Sequence, residues 1–141
     1  MKHSRKRQGG VGLIEVLVTV LILAVSLLTI AALQTRSLQY NHSAYLRSQA
    51  NILAYDILDR MRINQGNLNA YSGLDFGDEP AGTSLAATDV GEWLAVIERT
   101  LPGGEGAITC TNRLCTVSIR WSEQDSAGDD DLTDFSYTTQ L

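Results

Sequence analysis

The sequence predicts an α+β fold in which one long N-terminal helix is followed by a small antiparallel sheet. Three observations lead there. An apolar run opens the chain, an apolar stripe at helical spacing follows it, and three segments of alternating polarity occupy the C-terminal third. A length of 141 residues admits one modest domain plus its terminal extension and is too short for a multidomain enzyme.

Charge is unevenly placed. Of the eleven Lys and Arg residues, Lys2, Arg5, Lys6 and Arg7 precede the apolar run, leaving seven bases against sixteen acids in the remainder. Phosphate contacts need clustered Lys and Arg, so the acidic remainder argues against a nucleic-acid surface.

From Val11 to Leu33 the chain holds 23 residues with one charge, Glu15, and no proline. As a helix this run is ~35 Å long, enough to cross a bilayer core with some tilt. The positive-inside rule keeps the basic start cytoplasmic and places residues 34–141 across the membrane, which in a bacterium is the periplasm. A secretory signal shares the basic start, but its apolar stretch is shorter and ends in a small-residue cleavage site, which Ala31-Ala32 imitates poorly. Gly9-Gly10 instead stand at the border between the basic and apolar parts, where a cut would discard the leader and keep the helix.

Lys6-Arg7-Gln8-Gly9-Gly10, followed by Val11-Gly12-Leu13-Ile14-Glu15-Val16-Leu17, resembles the class III signal of type IV pilins and type II secretion pseudopilins. The resemblance implies cleavage between Gly10 and Val11 by a prepilin peptidase, methylation of the new Val11 amine, and an assembly role for Glu15 at the fifth mature position. Val11 replaces the usual Phe, and Gly12 stands where Thr or Ser is common. The span Val11 to Gln34, with the segment Ala54 to Arg62, looks like the PilV minor-pilin family. That resemblance implies the type IV pilin fold, with residues 1–10 as cleaved leader, 11–33 as transmembrane helix, 34–65 as the periplasmic amphipathic half and 66–141 as the head.

A carboxylate in an apolar segment is costly and usually faces a protein partner or a polar cavity. Cleavage after Gly10 would create a positive amine at a helix N-terminus, within a turn of the depth of Glu15 on a neighbouring subunit. Pairing the two would draw helices from lipid into a bundle. The alternative is that Glu15 snorkels to the headgroups, favoured by the helix N-terminal dipole.

Beyond Leu33 the composition turns polar with no Gly or Pro until Gly66, so the helix continues, with 52 residues from Val11 to Arg62 and a length of ~78 Å. Leu46, Ala50, Leu53, Ile57 and Met61 form one apolar stripe that needs a cover. Asp56 and Arg60 have the favourable acid-before-base spacing of a solvated helix face. Asn64-Gln65-Gly66 supplies the stop, with Gly66 as a left-handed cap. Asn41-His42-Ser43 fits a glycosylation sequon but falls within the helix.

Residues 67–88 read as an irregular connection. Asp89 is placed to cap a short helix with Glu92 at capping-box spacing and Val90, Leu94, Ile97 and Leu101 beside Trp93 on its apolar face, ended by Pro102-Gly103-Gly104. Ala107–Cys110 reads as a first strand. Cys115, Val117, Ile119 and Trp121 alternate with polar residues in a second, and Phe135, Tyr137, Thr139 and Leu141 in a third. Cys110 and Cys115 lie at the turn between the first two, and an oxidising periplasm favours a disulfide there. Zinc lacks a second cysteine pair, and the C-x-x-C spacing of a redox site is absent. Residues 123–131 carry five acids among nine residues. They form either a solvated turn or a calcium loop without the D-x-[DN]-x-[DN]-G order.

The expected function is that of a minor pilin assembling or priming a type IV pilus. No catalytic site, metal or cofactor is expected. The partners implied by the resemblance are other minor pilins, the major pilin, prepilin peptidase, the inner-membrane assembly platform and a PilY-type tip adhesin. Localisation is expected first in the bacterial inner membrane, then in the fibre. A type II secretion pseudopilin is the alternative. A single-pass anchored binding module would keep its leader, and an enzyme is disfavoured because no nucleophile–base set or phosphate loop is visible.

Overall fold

The computed structural model describes residues 12–124 and 130–141. In chain order it contains α1 (Leu13–Ile63), a 3₁₀ segment (Gln65–Ala70), α2 (Leu85–Thr100), β1 (Glu105–Thr111), β2 (Leu114–Gln124) and β3 (Asp130–Gln140). Contacts divide the chain into a first unit ending at Leu38 and a second spanning Gln39–Leu141.

Within the first unit, the described residues from Leu13 onward are helical and exposed. α1 is long and apolar enough to cross a membrane in this part. No Gly or Pro interrupts it, and its β-branched residues are interspersed with leucines that favour the helix.

In the second unit the amphipathic part of α1 buries Leu46, Ala50, Leu53, Ala54, Ile57, Leu58 and Met61. The predicted stripe is there, widened by Ala54 and Leu58, because this helix packs under both a sheet and a second helix and needs a broad apolar face. Each large side chain so removed from water contributes roughly 1.5–3 kcal/mol before entropy is counted.

The helix stop differs from the expectation. Gly66 is not left-handed; among the described residues the left-handed glycines are Gly73, Gly77, Gly82 and Gly103. Instead the Asn64 N–H reaches the carbonyls of Arg60 and Met61 at 3.2 and 3.1 Å, and the chain tightens into the 3₁₀ segment. That continuation carries Leu68 into the core, which a reversal at Gly66 would have forfeited.

α2 also begins earlier than the capping-box reading places it. Ser84 is the N-cap, and its hydroxyl accepts from the Ala87 N–H at 3.1 Å. Asp89 therefore lies inside the helix, and its carboxylate is free to receive groups from elsewhere. Val90, Trp93, Ile97 and Leu101 are buried as the periodicity indicates, whereas Leu94, expected on the same face, is only half-buried against the core. The Trp93 indole N–H donates to the Leu53 carbonyl at 2.9 Å, tying α2 to α1 inside the core.

The sheet is antiparallel in the order β1-β2-β3. Cys115, Val117, Ile119 and Trp121 point from β2 into the core, as the alternation predicts. The strands run longer than expected: Glu123 and Gln124 belong to β2 and Asp130 and Asp131 to β3. Asn112 and Arg113 form the β1–β2 turn, both with positive φ, which matches the right-handed twist of the strands they join.

Candidate functional site

The apolar half of α1 contains few polar side chains, and their hydrogen bonding sorts them. Thr19, Ser26 and Thr29 donate their hydroxyls to the carbonyls of Val16, Ile22 and Val25 at 2.8, 2.8 and 2.9 Å. Each hydroxyl is thus satisfied by its own helix, as a segment in lipid requires.

Glu15 is different. It lies in the first turn of α1, where its backbone N–H bonds to the Gly12 carbonyl at 2.9 Å. Its carboxylate has no ion-pair or hydrogen-bond partner among the described residues. The helix N-terminus offers it partial dipolar compensation. What remains is an acceptor that can receive a cation from outside the chain. Gly10 and Val11, the expected cleavage and methylation positions, lie outside the described residues.

In the second unit Cys110 and Cys115 are joined by a disulfide across the β1–β2 pair, with 4.1 Å between their Cα atoms. Replacing both with serine should cost about 2 kcal/mol in the chain-entropy account, read as a lower urea midpoint at unchanged slope. Among the described residues no group of His, Cys, Asp and Glu is arranged to hold a metal ion. The turn expected at 123–131 is shortened by the two strands, and residues 125–129, on which the calcium alternative depends, lie outside the described residues.

Arg60, read from spacing as part of a solvated pair with Asp56, does more than that. Its guanidinium lies 3.2 Å from Asp56, 3.5 Å from Asp89 and 2.8 Å from Glu92, linking α1 to α2. The Glu92 contact, reinforced by Asp56 and Asp89, raises its pKa. Asp89 also accepts from the Tyr71 hydroxyl at 2.6 Å, and that hydroxyl receives the Asn64 amide at 3.2 Å. Spacing gave no sign of this network, because Arg60 and Asp89 are brought together only by packing. The acids on one face of α2, at 89 and 92, were the available hint.

Burial, then the bond to Asp89, raises the Tyr71 phenol above the ordinary tyrosine value of about 10. A raised folded-state pKa means that stability is fully present below that value and is lost as pH climbs through the folded one. Tyr71→Phe should therefore cost about 1–2 kcal/mol at neutral pH and flatten the alkaline limb of the stability curve above about pH 10. Thermal unfolding across pH 7–11 measures both.

With that geometry in place, comparison with known families gives a match at the N-terminus: residues 5–31 fit the prokaryotic N-terminal methylation motif, a span that contains Gly10, Val11 and Glu15. No curated protein and no solved structure matches the chain. A long N-terminal apolar helix, a small three-stranded antiparallel sheet and a prepilin-type motif make this a pilin-like α+β architecture. The motif supports a type IV pilin or pseudopilin and implies processing by prepilin peptidase and assembly with other pilins. Motif and apolar helix are consistent with anchoring in the inner membrane.

Proposed function

We propose that this chain is a non-catalytic minor pilin of the PilV type, which enters a type IV pilus and helps to prime its assembly. The observation that carries the reading is the contrast within α1: the hydroxyls of Thr19, Ser26 and Thr29 are satisfied internally, while Glu15 awaits a cation. Cleavage after Gly10 supplies one, the Val11 amine of a neighbouring subunit, and methylation retains its charge. Before cleavage the nearest α-amine is on Met1, ten residues away, and the pair cannot form at that register. Processing thereby licenses bundling. The head, which faces the periplasm before export, meets other minor pilins, the major pilin and a PilY-type tip adhesin, while the membrane half meets the assembly platform.

Mass spectrometry of sheared fibres tests the reading. The expected chain begins at a methylated Val11; a chain that still begins at Met1 in the fibre overturns it. A pseudopilin of type II secretion would share this N-terminal machinery. Deletion of the gene separates the two, since loss of fibres with secretion intact supports the minor pilin and the converse supports the pseudopilin.

A further inference from the structure

The two edges of the sheet are treated differently. On the outer side of β1, Ile108 donates its N–H to the Leu74 carbonyl at 2.9 Å and accepts from the Gly73 N–H at 3.0 Å. Cys110 exchanges hydrogen bonds with the Ser72 hydroxyl, at 2.8 Å through its N–H and 3.3 Å through its carbonyl. The segment 72–74 thus covers that edge.

The same bonds establish which way β3 turns its backbone. Since Ile108 points its N–H and carbonyl away from β2, its partner Val117 directs its own toward β3, where it meets Tyr137. Alternation then turns Thr133, Phe135, Tyr137 and Thr139 toward β2, and leaves Leu132, Asp134, Ser136 and Thr138 with backbone groups directed outward. Among the described residues none of these four has a backbone partner on the outer side. A bare strand edge without proline or lysine is a template for another strand.

Along the inner side of this edge runs a groove of about 470 Å³, between Ala44, Arg47, Ser48 and Asn51 of α1 and Trp121, Thr133, Asp134 and Phe135 of the sheet. Trp121 is fully buried, yet its indole N–H finds no acceptor among the described residues. Such a donor is costly when left unmet. Arg47 is exposed and makes no ion pair among the described residues. The groove therefore sets an unpaired cation, Arg47, near the ring whose donor is unmet, with Asp134 as the one carboxylate in its lining.

We propose that an extended segment of a second protein adds to β3 as a fourth strand and lays an acidic side chain into this groove, where Arg47 and the Trp121 indole receive its carboxylate. Backbone pairing gives the affinity and the inward acid gives the selectivity. A second copy of this chain is a poor occupant. Its β3 would bring Thr133, Phe135, Tyr137 and Thr139 inward, with no carboxylate for Arg47, and would set two copies of Asp134 close together near the strand centre.

The test uses the full chain in detergent and two short probe peptides of alternating valine and threonine, one with a glutamate and the other with a lysine at the centre of the valine face. Hydrogen exchange is followed residue by residue. The glutamate peptide should slow the amides of Leu132, Asp134, Ser136 and Thr138 by about tenfold or more and leave those of Phe135 and Tyr137, already in the ladder, unchanged. Ser136→Pro removes one outward N–H without breaking the β2 ladder and should abolish the protection. Arg47→Glu, on an exposed helix face, should transfer the preference to the lysine peptide. Absence of slowing, equal slowing by both peptides on the unaltered chain, or slowing that grows with protein concentration alone would each overturn the proposal, the last by assigning the edge to a second copy.

Discussion

Glu15→Ala should yield a chain that is cleaved and inserted normally but falls at least tenfold in the sheared-fibre fraction relative to the membrane fraction. The sign follows from the two environments. In lipid the carboxylate is a cost, so its removal makes the isolated membrane form no less stable. In the bundle the same group answers a neighbour's amine, and deleting one partner of a desolvated pair strands the other charge at a cost of about 3–5 kcal/mol. An energy of that size is more than a factor of ten in partition between membrane and fibre. Glu15→Gln keeps the shape and removes the charge; if packing alone held the helix in place, this variant would assemble like the parent. Processing can be read independently. Lys2 and Lys6 leave with the leader and no lysine follows, so an amine-directed reagent has only the Val11 amine on the processed chain. Glu15→Ala chains that label at that single position yet stay in the membrane meet the expectation; chains that join the fibre in parental amounts remove the electrostatic argument.

What the sequence disclosed followed from how locally each feature is determined. The stripe Leu46, Ala50, Leu53, Ile57 and Met61 is a matter of helical period and is buried as read. The inward residues of β2 are a matter of alternation and are equally legible. Glu15 needed only its apolar surroundings to be noticed, although its expected role still awaits the experiment above. The errors lie where two local signals compete. Asp89 with Glu92 looks like a capping box, but Ser84 holds the cap, because an upstream start lets Ala86 and Ala87 join the buried face of α2. Gly66 looks like a terminator, but Leu68 gains more by staying close to the core than the chain gains by turning away.

The long-range polar contacts were not legible at all. Arg60 meets Asp89 and Glu92 across 29 and 32 residues, and Tyr71 meets Asp89 across 18. No period or spacing encodes such meetings; they appear only after α2 has docked on α1. The groove beside β3 has the same origin, since Trp121 could be read as buried but not as lacking an acceptor.

Gly106→Ala should destabilise the second unit by about 3 kcal/mol, the upper end of what an added methyl typically costs in a packed core. Glycine inside a strand weakens the strand and usually marks a close approach. Here the approach is by Trp93: a Cβ on Gly106 would lie 2.5 and 2.6 Å from two atoms of its ring and 3.1 Å from Ile97 Cδ1. The ring has little freedom to retreat, being fully buried and held through its N–H by the Leu53 carbonyl at 2.9 Å. Either that bond breaks, leaving a buried donor unmet, or β1 shifts from its register against β2. Gly91→Ala supplies the opposite sign. Its Cβ would meet only Pro80 Cγ, at an ordinary 3.5 Å, and replacing a glycine inside α2 should gain up to about 1 kcal/mol of helix propensity. Urea unfolding of the full chain in detergent, followed by near-ultraviolet circular dichroism of the tryptophans, reads both changes. If Trp93 is the obstacle, Trp93→Phe should cost less in the Gly106→Ala background than in the parent, and a double-mutant cycle should return a coupling on the order of 1 kcal/mol or more. Additive behaviour would mean that β1 tolerates the methyl by moving as a whole, and that Trp93 does not set the distance between α2 and the sheet.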